Sequence, residues 1–132
     1  MKSSAERART LAVKAEHDIA TASGCLEYGL PLDSACFHLQ QAAEKLLKAL
    51  LASRDRGFPL THDLRRLLDR LVVEFPQLEE FREDFLVFES FAVEIRYEDE
   101  MGLSHEEALG ALGVVTRLRD LIRTLLPPEA RP

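Results

Sequence analysis

The chain has 132 residues, 46% of them hydrophobic, and a net charge of −6. That length suits a single domain, residues 1–132, whose core needs no disulfide or metal staple. The negative balance works against non-specific attraction to nucleic acid. The opening stretch MKSSAERARTLAVKAEHD lacks the uninterrupted apolar centre of a signal peptide, and no apolar run reaches membrane-spanning length, so a soluble cytoplasmic protein without membrane contact is expected. Cys25 and Cys36 form neither a CxxC pair nor part of a Cys/His cluster, which fits two reduced thiols.

Ser3 and Ser4 offer N-caps for a first helix running to about Tyr28, with Ala8, Leu11, Ala12, Ala15, Ile19, Ala22 and Leu26 on one face and Asp18 at its edge. Gly29 and Pro31 stop it. Asp33 is expected to cap the second helix, which runs to about Arg54 and is the most apolar of the chain. Its seam is Cys36, Leu39, Ala43, Leu46 and Leu50, flanked by Ala35, Ala42 and Ala49, with Leu47 and Leu51 on the other side. Only His38, Gln41, Lys45 and Lys48 make a polar stripe, so the helix belongs at the centre of a bundle. Gln40 and Glu44 interrupt the Phe37–Leu47–Leu51 line. They sit at a bundle edge, or are buried with partners, or face a second chain.

A loop, DRGFPL, follows. Thr61 is expected to cap a shorter helix, HDLRRLLDRLVVEF, that buries Leu64, Leu67, Leu68, Leu71 and Phe75. The fourth helix has the most regular seam: Leu78, Phe81, Phe85, Phe88, Ala92 and Ile95 alternate steps of three and four, with Val87 and Phe91 beside them. These rings read as bundle core, since a base-stacking platform would need them exposed. Ser104 and Glu107 form a capping box for the last helix, which buries Ala108, Ala111, Leu112, Val115, Leu118, Ile122 and Leu125. Pro127 and Pro128 end it, and residues 126–132 are expected to fray. The fold predicted is all-α, an up-and-down four-helix bundle with one additional short helix.

Walker, GxGxxG, HExxH, zinc-knuckle and GxSxG motifs are missing. Helical di-metal centres use Glu-x-x-His pairs. Here His17 directly follows Glu16 and His105 directly precedes Glu106, so neither pair shares a face, and no metal or cofactor is expected. His17, His38, His62 and His105 read as surface or cap residues, and Asp63 as a favourable charge at a helix start. Arg96 is the chief candidate site residue. Either it pairs with Asp18, Glu44 or Glu94, giving a structural polar cluster of Asp18, Glu44 and Arg96, or its guanidinium binds phosphate.

The string FHLQQAAEKLLKALL, the later THDLRRLL, and Arg96-Tyr97 near the end of the fourth helix together resemble the HEPN domain. The resemblance spans about Arg7 to Leu126. It implies a small helical bundle that dimerises. Many prokaryotic members are paired with a minimal nucleotidyltransferase as toxin and antitoxin, and many are metal-independent endoribonucleases. The ribonuclease signature is an Arg, four to six intervening residues, and a His. Arg96 occupies the Arg position, but the next His, His105, follows after eight residues, Tyr97 to Ser104. Metal-free RNA cleavage needs an acid and a base, for which His is the natural choice.

Three readings follow from that resemblance. One is a dimeric non-catalytic module that partners a minimal nucleotidyltransferase, and it carries the most weight. Another is an endoribonuclease with a variant motif, Arg96 holding the phosphate and His105 acting as acid or base. The third is a nucleotide-binding bundle using Lys45, Lys48 and Arg96.

Overall fold

The computed structural model describes residues 1–89, 91 and 104–132. The described residues are helices and turns. The first helix, α1, spans Ser4–Glu27. Ser3 caps it by accepting the Glu6 N–H at 3.1 Å. Gly29, at a φ of 69°, closes its far end in the left-handed region, and the Leu30 N–H reaches the Cys25 carbonyl at 2.9 Å. That six-to-one bond across a left-handed glycine is a Schellman stop.

The second helix, α2, spans Leu32–Ser53. Pro31 is its N-cap, in place of the expected Asp33. The Pro31 carbonyl accepts from the N–H groups of Ser34 and Ala35, and its fixed φ pre-sets the entry. Asp33 sits inside the first turn, where its carboxylate accepts the Ser34 N–H at 3.0 Å. At the other end Asp55 takes the left-handed position, φ 54°, and the Arg56 N–H reaches Leu51. Asp55 also ties this end to the start of α1, accepting from Ser4 at 3.0 Å and Arg7 at 3.2 Å. With Asp18 meeting residues 38 and 45 further along, α1 and α2 form an antiparallel hairpin.

The third helix, α3, spans only Leu64–Leu71. Asp63 is its cap and accepts from the Arg65 N–H, while Thr61, the expected cap, accepts from the Asp63 N–H. The predicted helix to Phe75 stops at Leu71, and Phe75, before Pro76, has left the helical region at φ −123° and ψ 74°. The predicted buried face nevertheless holds, including Phe75.

The fourth predicted helix is segmented. A 3₁₀ turn covers Pro76–Glu80, α4 covers Phe81–Asp84, and the chain is helical again at 86–89. The tight i→i+3 bond from Phe88 to Phe85 marks the break. The apolar seam survives it. Phe81, Phe85, Phe88 and Phe91 are buried in a ladder with ring centroids 6.0, 6.3 and 6.1 Å apart. Ala92, Ile95, Arg96 and Tyr97 lie outside the described residues.

The last helix, α5, spans His105–Leu125, capped by Ser104, whose hydroxyl accepts the Glu107 N–H at 3.0 Å. It packs on α1 and α2. Leu112 and Leu125 of its predicted face are only half-buried. The expected frayed tail is instead docked. A 3₁₀ turn at Pro128–Ala130 buries the Ala130 methyl, and Arg131 donates to the carbonyls of Leu126 and Thr124. The Arg9 side chain in turn donates to the Arg131 carbonyl. An arginine satisfying the last carbonyls of a helix gives the tail a reason to stay.

One contiguous core joins α1, α2, α3, the phenylalanine ladder and α5. The central position predicted for α2 is observed: it packs against α1, α3 and α5. Cys25 and Cys36 are both buried. No helix among the described residues is long and apolar enough to cross a membrane.

Candidate functional site

Among the described residues two carboxylates are buried in the core, Asp18 on α1 and Glu44 on α2. A buried carboxylate without partners is costly, so its neighbours are informative. Asp18 meets Nδ1 of His38 at 2.8 Å and Nζ of Lys45 at 2.6 Å. Glu44 meets Nδ1 of His62 at 2.7 Å and Nζ of Lys48 at 3.5 Å. Each acid therefore has one histidine and one lysine. His38, Lys45 and Lys48 all come from the polar stripe of α2, and only His62 arrives from another segment.

The helical period explains the arrangement. Positions 38, 41, 45 and 48 lie along one line, which runs between α1 on one side and the loop before α3 on the other. From this line Lys45 and His38 reach toward α1, and Lys48 lies one turn beyond Glu44. The same lysine sits 5.3 Å from the centre of the Phe58 ring, which fastens the loop to α2 a second time.

A carboxylate at hydrogen-bond distance from Nδ1 accepts from Nδ1–H, and in the neutral form of such a ring the lone pair lies on Nε2, away from the acid. The two rings differ in access. The His62 side chain is 83% exposed above a Glu44 side chain that is 6% exposed. The His38 side chain is 31% exposed and has the Phe37 ring edge-on at 5.3 Å. His62 stands at the rim of a cleft of about 120 Å³ lined also by Gln40, Arg65 and Glu89, with Phe85 and Phe88 as apolar wall.

The residues singled out in sequence are distributed as follows. Asp18 and Glu44 are buried as acids in need of partners, and each has its own set. Arg96, grouped with them as one cluster, lies outside the described residues, as does Glu94. Lys45 and Lys48 are engaged as ion-pair partners of the two acids. His105 is the exposed first residue of α5. Among the described residues no group of three or more His, Cys, Asp or Glu is arranged to hold a metal ion.

His38 and His62 are the partners of the two buried acids that sequence reading missed. For His38 a signal existed: its place seven residues before Lys45 puts both on one face. For His62 none existed, because its partner is set by how the loop folds back on α2. Gln40, left open in sequence, is half-buried beside His62 in the cleft.

The fold is thus an all-helical bundle with a central helix that carries most of the polar network. The model of the HEPN domain matches residues 8–125, most of the chain, and the protein belongs to that family. Nothing matches the chain among curated proteins or among solved structures.

Proposed function

We propose that this HEPN domain is an interaction module, one that forms a homodimer and partners a minimal nucleotidyltransferase in a toxin–antitoxin-like pair. The observation that carries the dimer is the turn end of the α1–α2 hairpin, where the two helices are joined. Tyr28 at the end of α1, Leu30 in the turn and Phe37 in the second turn of α2 are all large, apolar and exposed, Phe37 by 57%. Apolar residues gathered at one end of a bundle are what a protein interface covers. A second copy of the chain is the occupant proposed, in keeping with the dimers of the family. The nucleotidyltransferase partnership rests on family membership.

Light scattering of the purified protein tests the dimer. Wild type is expected at twice the chain mass, and Phe37→Glu at the monomer mass with its helical signal intact. Co-expression with a nucleotidyltransferase encoded beside this chain tests the pair, with co-purification expected. A monomeric wild type that leaves the nucleotidyltransferase behind overturns the reading. Should the protein cleave RNA, and Arg96→Ala and His105→Ala abolish the cleavage, the variant ribonuclease takes its place.

A further inference from the structure

The two buried carboxylates do the same thing to two histidines, but only one of those rings is open to a reactant. His38 is two-thirds covered, and its acid is tightly engaged by Lys45 at 2.6 Å. His62 is nearly free in solvent, and Lys48 stands further from Glu44, at 3.5 Å. A fully solvated histidine needs no buried carboxylate to be stable. Glu44 needs a partner, yet Lys48 already supplies one. What the pair adds is a fixed ring: Nδ1 is anchored on Glu44, so in the neutral ring the lone pair lies on Nε2, on the side away from the acid. An imidazole held in this way is a nucleophile with one defined reacting atom.

We propose that His62 is a phosphoryl acceptor, taking a phosphoryl group on Nε2 from a small donor of the phosphoanhydride or phosphoramidate class. The inference is independent of the module reading above. In the step, the Nε2 lone pair forms the N–P bond. The bond from phosphorus to the donor's leaving oxygen or nitrogen breaks, and the leaving group departs with that electron pair. The ring takes on positive charge while Nδ1–H stays hydrogen-bonded to the Glu44 carboxylate, which offsets that charge. Glu44 is thus a positioning residue and His62 the reacting one.

Among the described residues the cleft beside His62 holds one cation, Arg65, and two acids, Asp63 and Glu89. Arg65 lines the same cleft as His62 and has a guanidinium fork that matches phosphate oxygens, and a phosphate arriving there competes with Glu89, which holds that guanidinium at 3.0 Å. Both acids are already engaged. Asp63 accepts the Arg65 N–H as the cap of α3, and Glu89 is paired with the Arg65 side chain at 3.0 Å. Gln40 adds an uncharged amide on the rim.

The test uses the intact protein and potassium phosphoramidate at neutral pH, with modified residues mapped under non-acidic conditions and the bonded nitrogen identified by NMR. His17 and His105 are the internal references, since both are exposed and neither meets a carboxylate of the described residues at hydrogen-bond distance. His62 is expected to react about tenfold faster than either, the scale of a modestly activated nucleophile, and at Nε2. Glu44→Gln is expected to bring the rate down to that of the references and to spread the product over both ring nitrogens, an effect that mere loss of stability does not produce. His62→Ala removes the fast site and leaves the melting temperature nearly unchanged. The proposal is overturned if His62 reacts no faster than His17 and His105, if it reacts at Nδ1, or if His38 reacts first. These three outcomes are read on wild type alone, so they stand even if Glu44→Gln fails to fold.

Discussion

Glu44 and His62 join the centre of the bundle to its surface: the Nδ1–H of a ring almost wholly in water donates to a carboxylate almost wholly out of it, at 2.7 Å. The pair holds the loop between α2 and α3 against the helix it has just left. Lys48 beneath Phe58 holds the same loop from below.

The energetics of that pair are asymmetric. Glu44→Ala leaves the mostly buried Lys48 ammonium without its carboxylate and is expected to cost about 3 kcal/mol, the scale for breaking a buried pair from one side. His62→Ala removes a solvated ring, Glu44 keeps Lys48, and the cost is expected below about 1 kcal/mol. Urea unfolding of both variants checks the difference. Equal losses would mean that the ring, rather than the carboxylate, carries the tie.

Asp18 and Glu44 head two separate clusters, and a double-mutant cycle can show it. Asp18→Asn with Lys45→Met is expected to couple by roughly 1 kcal/mol or more, because the two groups are in contact. Asp18→Asn with Lys48→Met is expected to be additive within roughly 0.5 kcal/mol, because Lys48 serves Glu44 instead. Coupling in the second cycle would merge the clusters into one network.

The helices and the core were legible because apolar spacing is a local property. The seams of α1, α2 and α5 and the face of α3 could be read directly, as could the phenylalanine ladder, even though the helix carrying it is broken at Phe85. Caps were less legible. Pro31 and Asp63 took roles expected of Asp33 and Thr61, because neighbouring residues compete for one turn and the winner depends on where the chain enters. Of the site, sequence could mark Asp18 and Glu44 as acids on apolar faces. It could not supply their partners, since His62 reaches Glu44 only after the loop has folded back. The docking of the tail is not legible for a similar reason: its anchors, Arg9 and the end of α5, are tertiary neighbours.

Removal of residues 127–132 tests that anchoring. It exposes the surface under Ala130 and takes away Arg131, which satisfies the carbonyls of Leu126 and Thr124. The loss expected is roughly 1–2 kcal/mol, one small buried side chain plus a helix-end hydrogen bond. Thermal unfolding of the shortened chain checks it. A chain that melts with wild type would show that the tail rests on the bundle without supporting it.

The link between α3 and the segment after it depends on pH in a defined direction. Arg82 reaches back to Asp69 at 2.8 Å and holds Glu79 at 2.6 Å. The hydrogen bond from Arg82 keeps the Glu79 carboxyl below its ordinary value of 4.5, and the two carboxylates raise the Arg82 guanidinium further above a value already out of reach. A carboxyl lowered in the folded state is stabilising above its unfolded value, because only there are both states ionised. That contribution is lost as pH falls below 4.5 and the folded carboxyl takes up its proton. Arg82 stays charged throughout. Wild type is therefore expected to melt above Glu79→Gln at neutral pH, with the gap closing as the pH drops below 4.5. The group is fully exposed and screened by salt, so the gap is small and is best read at low ionic strength. Melting curves of the two proteins across the acid range check it. A gap that widens toward low pH would give the opposite sign and remove the Arg82–Glu79 pair as its source.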